Sequence, residues 1–171
     1  VEFRGGKGNL YEGGLRIPYL VRWPGKIQAN KVSDLVFSQV DVYPTLAELS
    51  AGKTPNDLDG MSILTELIGE KATGHKQAQH DFLYWEYANQ TAVRMGKWKA
   101  IQTKKDNAWA LYDLDQDVSE KIDVASQHPD ILEKMVAHAT ASHQPWKAGE
   151  FHSKEMHERD RAAKWGSKGN L

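Results

Sequence analysis

Cysteine is absent from all 171 residues. Disulfides, thiolate-bound zinc and a cysteine nucleophile are therefore excluded. Long apolar runs are missing too: no stretch approaches the roughly 18 residues of a membrane-spanning helix. Charge of one sign is not in excess, because 22 Lys and Arg stand against 23 Asp and Glu, a net charge of -1. That balance argues against a general nucleic-acid binder. The chain opens Val1-Glu2-Phe3-Arg4, without an initiating methionine or a signal peptide, so it is expected to be processed, truncated or excised from something longer. Forty per cent hydrophobic residues, with six Trp and six Tyr, suffice for a core.

The most informative segment is the first. In Arg4-Gly-Gly-Lys-Gly-Asn-Leu-Tyr-Glu-Gly-Gly-Leu-Arg16 one lysine stands between glycines, followed by an acid-Gly-Gly turn and an arginine. Glycines let backbone approach a ligand closely, and a lysine held there is a compact charge suited to sulfate or phosphate. Ile17 to Trp23 reads as a buried strand closed by Pro24-Gly25. Val36 to Ser50 has helical apolar spacing, and Pro44 belongs in a first turn, so the helix is expected from Asp41 as N-cap to Gly52 as C-cap. A short helix over Ser62 to Leu67 and a polar loop over Glu70 to Gln79 follow.

Near residues 70–80 the texture changes. Asp81 to Tyr87, Thr91 to Met95, Trp98 to Thr103 and Ala108 to Leu114 are short aromatic-rich runs. Turn residues Asn89-Gln90, Gly96-Lys97 and Asp106-Asn107 separate them, which predicts a four-stranded antiparallel meander. Pro129 to His143 is an amphipathic helix able to cover that sheet. The tail after Pro145 is charged and expected to be extended or weakly helical.

Few residues carry recognisable chemistry. Lys7 is the candidate anion contact, with a solvated surface lysine as the alternative. Glu12 and Arg16 read as a structural ion pair or as backbone contacts within the turn. Trp85, Glu86 and Tyr87 offer aromatic faces and an acid suited to sugar hydroxyls, or else the packing of a half-buried strand. His138 with His143, and His152 with His157, are five apart, the wrong spacing for a zinc pair on one helix face. No metal ligand set, Ser-His-Asp order or Gly-x-x-x-x-Gly-Lys-Ser/Thr loop is present.

Taken together, Arg4-Gly-Gly-Lys-Gly-x-x-Tyr-Glu-Gly-Gly-x-Arg-x-Pro18, Asp41-x-Tyr-Pro-Thr-Leu46, Gln90-Thr-Ala-Val-Arg-Met-Gly-Lys-Trp-Lys99 and Leu111-Tyr-Asp-Leu-Asp-Gln-Asp-Val-Ser-Glu120 resemble the C-terminal part of a sulfatase of the alkaline-phosphatase superfamily. The ending, Phe151-His-x-x-x-x-His-Glu-Arg-Asp-Arg-Ala-Ala-Lys164, is similar to bacterial members of the arylsulfatase or N-acetylgalactosamine-6-sulfatase type. The resemblance implies an α/β fold. Residues 1–75 would be the C-terminal portion of the catalytic domain, 76–145 a small antiparallel sheet packed on a helix, and 146–171 a polar tail. It also implies hydrolysis of aryl sulfates or sulfated sugars by a formylglycine nucleophile with calcium, in a periplasmic or secreted setting. Lys7 matches the family lysine that contacts the sulfate, and the sheet subdomain with Trp85 and Glu86 would border the substrate cleft. The nucleophile motif Cys/Ser-x-Pro/Ala-x-Arg and the calcium-binding aspartates have no match here, so the 171 residues alone are expected to be inactive. A non-catalytic glycan- or protein-binding module, or part of a related phosphoesterase or phosphonate hydrolase, is the alternative. Self-association through an unpartnered sheet edge at Ile17 to Trp23 is expected, and neither nucleic acid nor membrane is an expected partner.

Overall fold

The computed structural model describes residues 2–103, 108–145 and 154–165. Its centre is a four-stranded antiparallel sheet in sequence order: β1 (Leu83–Tyr87), β2 (Gln90–Met95), β3 (Trp98–Thr103) and β4 (Trp109–Asp113). Tyr87 pairs with Gln90 and Met95 with Trp98. The first hairpin therefore turns on Ala88-Asn89, one residue earlier than expected, with Ala88 at φ +53°. The second turns on Gly96-Lys97, where Gly96 takes φ +56°. The Asp106-Asn107 turn lies outside the described residues.

Alternate residues of each strand point to opposite faces, and both faces are covered. One face buries Val93, Ala100 and Leu111 under Met135 and Ala139 of α5 (Pro129–Ser142), where Pro129 opens the helix at a position that tolerates proline. Full burial of a side chain such as Met135 contributes about 1.5–3 kcal/mol. The other face buries Ala92, Ile101 and Tyr112 with Leu10, and Tyr11, Leu15 and Trp85 pack against them. The N-terminal glycine-lysine segment thus forms the second cover of the sheet. It carries the one-turn helix α1 (Glu12–Leu15).

The remaining elements lie outside this sandwich. A 3-10 turn at Gln39–Asp41 leads into α2 (Val42–Leu49), and α3 (Leu64–Ile68) and α4 (Glu70–Thr73) follow, the last within the expected polar loop. Asp41 is fully buried and does more than begin a helix. Its carboxylate accepts hydrogen bonds from Ser38 N (2.7 Å), Met61 N (2.8 Å) and His80 Nε2 (2.9 Å), tying three segments together. The helix ends at Leu49 rather than at a glycine cap. Ala51 takes the left-handed conformation (φ +53°), and Gly52 N donates to Ala47 O.

Two sequence expectations are corrected. Ile17 to Trp23 forms no strand and pairs with none among the described residues, and Ile17 is 67% and Leu20 95% exposed. A strand needs a neighbour to satisfy its backbone, and beside this segment stands the Tyr19–Phe37 ring contact (4.7 Å) rather than a paired strand. Helix α2 forms where it is expected, with Tyr43, Leu46 and Leu49 on its exposed side. In the tail, α6 (Lys154–Trp165) is a regular helix where an extended or weakly helical chain was expected.

Candidate functional site

The Lys7 turn is built by close backbone approach. Asn9 N donates to Gly6 O (3.0 Å), closing a four-residue turn with Lys7 at its tip. Gly8 takes φ +84°, the conformation that turns of this kind reserve for glycine. Behind it, α1 lies so close that a Cβ on Gly13 would stand 2.5 Å from Gly5 O, and one on Gly14 only 1.9 Å from Asn9 O. Gly13 N in turn donates to Arg4 O (2.8 Å). The acid-Gly-Gly sequence is thus explained by steric contact: the helix backbone is the seat of the turn.

A cluster of buried charges fixes that seat to the sheet. Lys99 of β3, fully buried, places its Nζ 2.9 Å from Glu12 Oε1 and 3.2 Å from Glu120 Oε1. Arg94 Nη1 lies 3.5 Å from Glu12 Oε2. Glu120 Oε2 accepts Glu12 N at 2.7 Å. Burial holds the Glu120 carboxyl above its usual range, opposed by Lys99 and by the Glu12 amide. Glu120 Oε1 meets the Lys99 ammonium at 3.2 Å, which acts on the carboxyl through its charge and as a donor. Arg4 completes the attachment, donating to Glu120 O (2.8 Å) and Tyr112 Oη (3.0 Å) while lying 4.0 Å over the Tyr11 ring. Burial, with neighbouring Tyr11, pushes the Tyr112 phenol up, against the pull of Arg4.

Glu12 is accordingly a buried member of this cluster. Its contact with Arg16, at 4.0 Å, is its longest, and Arg16 also lies 5.1 Å over Phe3. Lys7 itself is exposed, and none of the described residues hydrogen-bonds or ion-pairs with it. Trp85 and Glu86, neighbours on β1, point to opposite faces. Trp85 packs on the Lys7-loop side with Leu10 and Tyr112, whereas Glu86 faces α5 and binds His143 Nδ1 at 2.8 Å. Tyr87, two residues beyond Trp85, shares the Lys7 side. It is 57% exposed, and its ring would lie 3.9 Å from a Cβ placed on Gly8. Gln90 joins the hairpin to the loop, accepting from Leu10 N and donating to Gly8 O, both at 3.1 Å. The Lys7 loop, Trp85 and Tyr87 therefore lie on one face of the sheet, and Glu86 lies on the other.

Lys99 and Glu120 escaped sequence reasoning. Their only local signal is a lysine two residues before Ile101, on the face that also carries Tyr112, where an apolar residue would be expected. His138 stacks on Phe82 (4.1 Å), and the side chains of His152 and His157 lie outside the described residues. Among the described residues no group of three or more His, Asp or Glu is gathered as a metal ion would need. These residues do not fit the calcium site that the resemblance implies. An open cleft of about 480 Å³ near His80 and Arg94 lacks Lys7, Trp85 and Tyr87 from its lining.

Residues 6–143 match the family described as N-sulphoglucosamine sulphohydrolase, C-terminal. The chain belongs to this family. This sulfatase C-terminal segment is 36% identical over 150 residues to an N-acetylgalactosamine-6-O-sulfatase of Bacteroides thetaiotaomicron, covering 78% of the chain and 28% of that protein. A solved structure from work on glycosaminoglycan metabolism by the same organism superposes with a TM-score of 0.68 at 33% identity, over 80% of the chain and 31% of that one. Ps i-CgsB, solved with k-i-k-neocarrahexaose, superposes at 0.64 with 29% identity, over 79% and 30%. The segment thus spans under a third of the length of these relatives.

Proposed function

We infer that this segment serves a sulfatase by presenting Lys7 to the sulfate group of a sulfate ester and by forming one wall of the substrate cleft with Trp85 and Tyr87. The observation that carries this reading is the geometry of Lys7. It is an exposed ammonium without a partner among the described residues, at the tip of a turn whose base is locked by buried charges. A cation held this way stabilises negative charge that develops on the ester oxygen as the S–O bond breaks and water supplies the new oxygen to sulfate. The exposed face of Tyr87 and the half-buried Trp85 suit a sugar ring, in keeping with the sulfated N-acetylgalactosamine and the carrageenan-type hexaose named for the relatives. Glu86, turned towards α5, takes no part in that wall.

The formylglycine nucleophile and the calcium of the resemblance come from other residues, because the sequence holds no Cys or Ser in the required context. The 171 residues alone are inactive under this reading. The outward apolar positions Ile17, Leu20, Tyr43 and Leu46 are where the remainder of a sulfatase domain packs, and through which the segment self-associates when that remainder is missing. The test is hydrolysis of an aryl sulfate by the chain alone, and by the chain mixed with a folded sulfatase half carrying a matured nucleophile. Activity only in the mixture is expected. A folded, matured mixture without activity contradicts the reading.

A further inference from the structure

Lys99 is an expensive residue for its position. A methionine of similar length would pack beside Ile101 without loss of hydration, and buried ion pairs are weak sources of stability. What an ion cluster supplies, and an apolar contact does not, is direction. Lys99 Nζ is fixed at 2.9 Å from Glu12 and 3.2 Å from Glu120, residues 87 and 21 positions away in the chain. From Glu12 to Lys7 every link is backbone. Glu12 opens α1, Gly13 N holds Arg4 O, Gly14 abuts the carbonyls of Asn9 and Gly6, and Asn9 N closes the turn on Gly6 O. A second strut runs through Glu120, which accepts Glu12 N on its carboxylate and the Arg4 guanidinium on its carbonyl. Glu120 is held at φ +53°, a conformation that a non-glycine residue keeps only when its surroundings impose it. Lys99, Arg94 and Arg16 share the Glu12 and Glu120 carboxylates and Arg4 holds the Glu120 carbonyl, whereas Lys7 stays outside the cluster and exposed.

We propose that Lys99 is a positioning residue for Lys7: its buried ammonium, clasped between Glu12 and Glu120, sets where the Lys7 turn sits on the sheet. The functional arm of this inference rests on reading Lys7 as the sulfate contact. The structural arm does not.

Two measurements separate them. The first is amide hydrogen exchange on the full chain for wild type, Lys99→Met and the control Lys97→Met, whose exposed lysine pairs with Asp113 and lies over the Trp98 ring, away from Glu12 and Glu120. Lys99→Met is expected to speed exchange over residues 6–14 at least tenfold more than over β2 and β4, and the control to change neither. Uniform acceleration across loop and sheet overturns the proposal, because it marks a purely structural role. The second is sulfate-ester turnover in the sulfatase polypeptide that contains this chain. A displacement of about 1 Å at a catalytic group costs on the order of 100-fold. Lys99→Met should lower kcat by that factor while KM stays within threefold, and wild-type kcat in the variant overturns the proposal. An inactive wild-type polypeptide would overturn the sulfate reading of Lys7, and the exchange result would still decide the role of Lys99. Should Lys99→Met fail to fold, Lys99→Arg replaces it. The planar, longer fork displaces Glu12 and lowers kcat about tenfold at constant KM, whereas a folded Arg variant with wild-type kcat and loop exchange overturns the proposal.

Discussion

Two glycines of one motif should respond oppositely to the same substitution. Gly14→Ala places a methyl 1.9 Å from Asn9 O and 2.6 Å from Gly6 O. Moving the first contact out to 3.4 Å, the onset of ordinary van der Waals distance, requires a displacement of about 1.5 Å between two backbone segments. Such a movement breaks the Gly13 N–Arg4 O bond, and with it the seat of the Lys7 turn. Overpacking costs about 1–3 kcal/mol, and a lost hydrogen bond about 0.5–1.5 kcal/mol. Against this stands a gain of up to about 1 kcal/mol from replacing glycine within a helix. The balance is a loss of about 2 kcal/mol. Gly6→Ala meets no atom within 4 Å and needs no positive φ, so it should be neutral or stabilising by a few tenths of a kcal/mol. For a chain of this size about 2 kcal/mol corresponds to roughly 4–8 °C in Tm. Thermal unfolding followed by circular dichroism checks both variants. A Gly14→Ala protein that melts with wild type, or above Gly6→Ala, would refute the claim that backbone contact dictates the acid-Gly-Gly sequence.

Asp41→Ala should destabilise by about 2–4 kcal/mol, since it strands the amides of Ser38 and Met61 beside His80 at a fully buried position; urea unfolding reads the loss, and a change below about 0.5 kcal/mol would contradict it. His75 is raised above its ordinary 6.5 by its bond to Glu48. Glu48, though burial pushes it up, is drawn below 4.5 by Ser62 and His75. The His75 contribution is complete below 6.5 and fades as pH rises through its folded pKa. The Glu48 contribution is complete above 4.5 and fades as pH falls, so the pair acts in full between about pH 4.5 and 6.5. NMR titration of His75 in wild type and Glu48→Gln checks this, and identical curves would rule the bond out.

The sheet was legible because its signals are local. Apolar alternation and Gly96-Lys97 placed four strands to within two residues at each described end, and Pro129 placed α5. What escaped depends on contacts distant in sequence. Ile17 to Trp23 has strand composition, but composition does not supply a neighbouring strand. Asp41 reads as a helix start, and nothing near it in sequence points to Met61 or His80. Lys7 stood out because glycines isolate it, while Lys99 looked like any strand lysine. Its burial follows only once Glu12 and Glu120 are brought over the same face of the sheet. Trp85 and Glu86 are neighbours in the sequence, and strand alternation puts them on opposite faces of the sheet.

The most direct test of the central claim is the dependence of Lys7→Ala on the leaving group, measured in the sulfatase polypeptide that contains this segment. If Lys7 stabilises charge developing on the ester oxygen, the variant should lose about 10²–10³ in kcat on a sugar sulfate, whose alkoxide is a poor leaving group. It should lose markedly less on a nitrophenyl sulfate, whose phenolate needs little help. Equal losses on both substrates, or a change confined to KM, would contradict the account.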